Sequence, residues 1–118
     1  MEYVKVIKSE DYISVCFYIE EEKPFAIGEK MGEIHEDAYM NGYNWEAFLN
    51  YYIENNAKEL LDGLDTDPEA GMYAAYYDVS SENEAKAQKL ADLICSLIEN
   101  EDEIYSIVRD KGDEIEWD

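Results

Sequence analysis

The chain has 118 residues, with 9 Lys and Arg against 30 Asp and Glu, a formal net charge of −21. That charge argues against nucleic acid and anionic membrane as partners, because both are bound by neutralising their negative groups with Lys and Arg. It does not imply disorder, which goes with few apolar residues, whereas 47% of this chain is hydrophobic and 14% aromatic, including 11 Tyr.

Residues 2–8 alternate in polarity and predict a strand. Residues 12–20 alternate again, with Ile13, Val15, Phe17 and Ile19 on an apolar face that should meet helices. The polar break Ser9-Glu10-Asp11 between them predicts an antiparallel hairpin. Residues 21–43 have no clear period and are interrupted by Pro24, Gly28, Gly32 and Gly42. They read as a long irregular segment, with room for a short strand over Phe25–Ile27 or Lys30–Ile34, and long loops of this kind are often functional.

Asn44 is placed as the N-cap of a strong helix, with Glu46 near its positive end. Trp45, Phe48, Leu49, Tyr52, Ile53, Ala57, Leu60 and Leu61 recur at helical spacing, and Asp62-Gly63 is the predicted stop. Residues 65–71 read as a loop and Met72–Val79 as a strand. Ser81-Glu82-Asn83-Glu84 fits a capping box opening a helix to about Glu99. A shorter helix follows over Asp102–Asp110, and the tail 113–118 is either frayed or an edge strand. The order gives an α+β fold of one acidic domain, residues 1–118. Its sheet is mainly antiparallel, with two to three helices packed on one face.

Chemistry is sparsely represented. His35 is the one histidine and reads as an exposed loop residue; Cys16 and Cys95 read as buried free thiols. No phosphate-binding glycine motif and no zinc spacing occurs, so no catalytic residue, metal ligand or cofactor is assigned. Asp65, Asp67 and Glu69 fall at the first, third and fifth places of a calcium-loop register, but Ala70 stands where glycine is needed and Tyr76 where the bidentate Glu belongs. Tyr3, Tyr12, Tyr18 and Tyr73 or Tyr77 are placed together on the second sheet face as a tyrosine-rich surface of the kind enriched at protein interfaces. Acids gather in residues 20–37, in the 62–69 stretch and in the tail. A partner with a basic surface would be steered to them. No basic, apolar leader and no apolar run near the roughly 18 residues of a membrane span is present, so a cytoplasmic protein is the expectation.

Two blocks carry a family resemblance. Gly42-Tyr43-Asn44-Trp45-Glu46 and Asp67-Pro68-Glu69-Ala70-Gly71-Met72, with a helix between them and a helix after, resemble the immunity protein 51 family of bacterial polymorphic toxin systems. The resemblance implies a small α+β protein that binds and neutralises a cognate toxin domain without catalysis. A basic nuclease is the toxin class that the charge suggests. Within and beside the matched blocks, Tyr43, Glu46, Asp65, Asp67 and Glu69 are the candidate partner-binding residues. A general acidic adaptor domain and a weak cation-binding protein are the alternative readings.

Overall fold

The computed structural model describes residues 3–118. Four strands, β1 (Val4–Lys8), β2 (Tyr12–Phe17), β3 (Asp65–Thr66) and β4 (Tyr73–Asp78), form one antiparallel sheet in the order β1-β2-β4-β3. Four helices accompany it: α1 (Glu22–Ile34), α2 (Gly42–Asn56), α3 (Ser81–Glu99) and α4 (Glu101–Lys111). The architecture is α+β, as expected, with one helix more than the pattern predicted.

The first hairpin forms where the alternation placed it, closed by Ser9, whose N–H donates to the Tyr12 carbonyl at 2.8 Å. The predicted start of its first strand at residue 2 lies outside the described residues. Ile13, Val15, Phe17 and Ile19 are all buried. The register sets Ile13 beside Tyr77, Val15 beside Ala75 and Phe17 beside Tyr73. These rows share one face because side chains alternate along a strand, and α2 and α3 cover it. α4 and α1 pack on each other and on α3.

The tyrosine-rich outer face is therefore only partly realised. Tyr73 and Tyr77 point into the core, and Tyr3 is buried against Phe17 with its hydroxyl donating to Glu99 Oε2 at 2.6 Å. The face that carries no helix holds Tyr12 and Tyr76 in edge-to-face contact, 5.2 Å between ring centroids, with Ile7 exposed beside them and Lys5 over the Tyr18 ring.

The segment 21–43 is not irregular: most of it is α1. Pro24 sits in the first turn, where a missing N–H costs nothing. Gly28 and Gly32 stand within the helix where another segment crosses it closely and leaves little room for a side chain. A Cβ on Gly28 would lie 3.0 Å from Met40 Cβ, and one on Gly32 would lie 3.2 Å from the Ala38 carbonyl oxygen. His35 ends this helix and is not exposed. Its ring is 15% accessible, lies 2.8 Å by Nε2 from Asp113 Oδ1, and accepts the Asp37 N–H at Nδ1. That acceptance at Nδ1 turns Nε2 toward Asp113.

Other boundaries shift for local reasons. α2 is capped by Asn41, not Asn44; the Asn41 side chain accepts the Asn44 N–H at 2.9 Å. It stops at Asn56, where Asn55 and Asn56 turn their amides back onto the carbonyls of Tyr51 and Tyr52. Leu60 and Leu61 belong to a separate short 3-10 helix, Lys58–Leu61. Gly63 supplies the left-handed residue after it, at φ 78°. Ser80 rather than Ser81 caps α3, accepting the Asn83 N–H at 3.0 Å. Residues 65–71 are one arm and the turn of a hairpin with β4. Thr66 pairs with Ala75, and Glu69 with Met72. Cys16 is buried and Cys95 half-buried, both free thiols.

Candidate partner-binding surface

The two sequence blocks are pressed together. Gly42, the first residue of α2, sits against the hairpin turn, and a Cβ there would fall 1.7 Å from the Glu69 carbonyl oxygen and 2.4 Å from that of Met72. Its N–H donates to the Ala70 carbonyl at 2.9 Å, so the turn satisfies an otherwise unpaired donor at the helix start. Three residues on, Trp45 is buried between Phe17 and Phe48, with ring centroids 5.0 and 6.0 Å away. One turn along, Glu46 Oε2 accepts the Thr66 hydroxyl at 2.5 Å. The glycine, the tryptophan and the glutamate thus lock the hairpin to the helix, and the polar ends of Tyr43, Asp65, Asp67 and Glu69 remain exposed.

The C-terminal tail completes the surface. It is neither frayed nor a strand. After α4 the chain makes a short 3-10 helix, Gly112–Glu114, and buries Ile115. The Trp117 indole N–H donates to the Gly112 carbonyl at 2.9 Å, and the ring lies 5.9 Å from that of His35. The Asp118 N–H reaches Asn44 Oδ1 at 2.6 Å. Asn44 is the buried polar residue of the region, and its amide also donates to the Tyr39 carbonyl at 2.7 Å. One side chain so ties together the α2 start, the segment before it and the chain terminus.

Between the tail and the outer face of α2 runs a groove of about 580 Å³. Tyr43 and Glu46 line it with Glu54, Glu114, Glu116 and Asp118. Among the described residues, the ion pair in this set is Glu114 with Lys111, at 3.6 Å; Glu46, Glu54, Glu116 and Asp118 have none. Tyr51 donates to Glu114 Oε1 at 3.3 Å. Lost solvation, with Glu114 beside it, raises the Tyr51 phenol above its ordinary range. Carboxylates and aromatic rings in one groove suit Lys and Arg side chains, which pair with the former and lie over the latter. Asp65, Asp67 and Glu69 do not line this groove. They continue its negative field along the hairpin, where the Tyr76 phenol is pushed up by lost solvation and then by Asp65 and Asp67.

Of the predicted residues, then, Tyr43 and Glu46 share the groove and the three hairpin acids flank it. Sequence reasoning missed Asn50, Tyr51 and Glu54, which were findable on the outward face of α2, Asn50 and Glu54 at successive four-residue steps from Glu46 and Tyr51 three residues before Glu54. It also missed Glu114, Glu116, Trp117 and Asp118, for which no local pattern exists. No group of three or more His, Cys, Asp or Glu among the described residues is arranged to hold a metal ion. No helix among them is long and apolar enough to cross a membrane.

Comparison with known proteins agrees with the two blocks. The model of the family Immunity protein 51 matches residues 4–113, nearly the whole chain, and the chain belongs to that family. No curated protein and no solved structure matches it.

Proposed function

From membership of the immunity protein 51 family, we propose that this chain protects the cell that makes it by binding one toxin domain and covering its working surface. It acts in the cytoplasm, by occlusion and not by catalysis. The toxin presents a basic surface, as a nuclease cleft does. The observation that carries this reading beyond the family is the run of carboxylates, all but Glu114 without an ion pair among the described residues, from the α2–tail groove to the β3–β4 hairpin, on a chain of net charge −21. Such a field speeds encounter with a basic partner and competes with its anionic substrate. Non-catalytic action is supported by the state of the candidate nucleophiles and base. The His35 ring is held by Asp113 and the Asp37 N–H, and neither thiol is among its hydrogen-bond partners. Burial pushes the Cys16 and Cys95 thiols up, away from the reactive thiolate.

Co-expression with candidate toxin domains from neighbouring genes tests the reading, scored by growth and by recovery of a complex. Rescue with a complex is the expected result. Glu46→Gln combined with Asp65→Asn, Asp67→Asn and Glu69→Gln is expected to slow association by about 10-fold or more at low salt. Toxicity unrelieved by the wild-type chain would remove the proposal.

A further inference from the structure

A second groove lies on the other side of the α2 start, and its character is different. It runs between α1 and residues 38–41, measures about 540 Å³, and is walled by Ile19, Pro24, Phe25, Met40 and Trp45. Gly28 and Gly32 let the crossing segment settle onto α1. The bond from Asn44 to the Tyr39 carbonyl fixes that segment at its far end. The groove is therefore built before any partner arrives, which lowers the entropy lost on binding. At its mouth stand two large aromatic side chains left in solvent, Phe25 at 53% exposure and Tyr39 at 77%.

The rim carries carboxylates. Glu20 is the one that reaches the hairpin turn. Its Oε1 would lie 2.8 Å from a Cβ on Gly71, so the glycine of the hairpin turn makes the space that the carboxylate occupies. Among the described residues Glu20 has neither a side-chain hydrogen bond nor an ion pair. An apolar groove with an exposed, unpaired carboxylate at its lip fits a ligand that is apolar and cationic side by side. A second copy of this chain is a poor occupant, since each copy brings a charge of −21.

We propose that this groove is the anchor socket for the toxin. It takes one aromatic or long aliphatic side chain of the toxin, next to a Lys or Arg whose cation pairs with Glu20. The inference rests on the immunity reading and divides the labour of binding. The acidic surface sets how fast the partners meet, and the socket sets how long they stay, as buried apolar anchors do at interfaces.

The test uses the full chain and the toxin domain whose toxicity it relieves on co-expression, with association and dissociation followed separately at several salt concentrations. Phe25→Ala with Tyr39→Ala removes two side chains that are each more than half exposed. It is expected to raise the dissociation rate by about 10-fold or more, with the salt dependence of association unchanged. Glu20→Gln is expected to speed dissociation less. Gln88→Ala, exposed on α3 and lining neither groove, serves as the control and should match wild type. Circular dichroism confirms that each variant is folded. Wild-type binding with Phe25→Ala/Tyr39→Ala indistinguishable from it overturns the socket and leaves the immunity reading standing. A wild-type chain that neither binds nor rescues overturns both. Concentration-dependent dimers abolished by Phe25→Asp would assign the groove to a second copy and overturn the proposal.

Discussion

Two tyrosines on the inner face of β4 use the same hydroxyl in opposite ways. Tyr77 is fully buried and donates to the Leu60 carbonyl at 2.6 Å, which joins the sheet to the 3-10 helix after α2. Tyr73 is equally buried, and its hydroxyl finds no partner among the described residues. A buried polar group without a partner bears its desolvation cost uncompensated. Tyr73→Phe is therefore expected to leave stability unchanged or raise it by about 1 kcal/mol, while Tyr77→Phe should lower it by roughly 1–2 kcal/mol. Urea denaturation of the two variants checks the contrast; equal effects would count against the unpaired hydroxyl. The same burial sets the alkaline limit of the fold. It pushes the Tyr77 phenol from its ordinary 10.0 up to about 12, and raises those of Tyr3 and Tyr73 as well. The folded state thus binds these protons more tightly than the unfolded chain does. Their contribution is complete below the unfolded value and is lost as pH rises from about 10 toward the folded values. Absorbance of phenolate should rise together with loss of circular dichroism in that window, and Tyr77→Phe should withstand more alkali relative to its own neutral-pH stability. Phenolate appearing well before unfolding would show these rings to be titrating in the folded state.

The element that decides the candidate site is the joint between α2 and the β3–β4 hairpin, and two glycines near it separate packing from backbone conformation. Gly42→Ala would drive a methyl into two carbonyl oxygens, at 1.7 and 2.4 Å, so the helix and hairpin must part. A loss of about 3 kcal/mol or failure to fold is expected, in the range of severe overpacking. Gly63→Ala meets nothing within 4 Å but keeps φ at 78°, and should cost about 1 kcal/mol for the left-handed residue. Thermal melts of both variants measure the difference; a mild Gly42→Ala would mean that the joint yields easily. The same comparison explains what the amino-acid pattern could and could not reveal. The hairpin of β1 and β2, the helical stripe of α2 and the long α3 were legible because each repeats at its own period. α1 was not, since Gly28 and Gly32 look like loop residues until the segment crossing them is known. Tyr43 and Glu46 were legible as polar positions in a block otherwise buried. The tail's share of the groove was not, because Trp117 and Asp118 are held by Gly112 and Asn44, contacts that leave no mark on local periodicity.

At the scale of the whole molecule, charge acts on folding and on binding with opposite sign. The described ion pairs are mostly exposed, such as Lys8 with Glu84 and Lys89 with Glu59, and pairs of that kind contribute little each. They cannot offset a net charge of −21 confined to a body of 41 × 27 × 24 Å. At about 0.01 M salt the screening length is roughly 30 Å, so carboxylates at opposite ends of the molecule still repel. Near 0.15 M it falls to about 8 Å, and only neighbours interact. Salt should therefore stabilise the free protein, with Tm rising between these two concentrations. Over the same interval the association rate with a basic toxin should fall, since the same screening removes the steering field. Dissociation governed by the apolar socket should change little. Scanning calorimetry and stopped-flow mixing on one set of buffers give both curves. If Tm fell with salt, the exposed ion pairs would outweigh the self-repulsion; if association did not slow, the acidic surface would lie away from the partner. The fold tolerates its excess charge because the carboxylates stand outside the buried stripes, and that same placement leaves them free to meet a cationic surface.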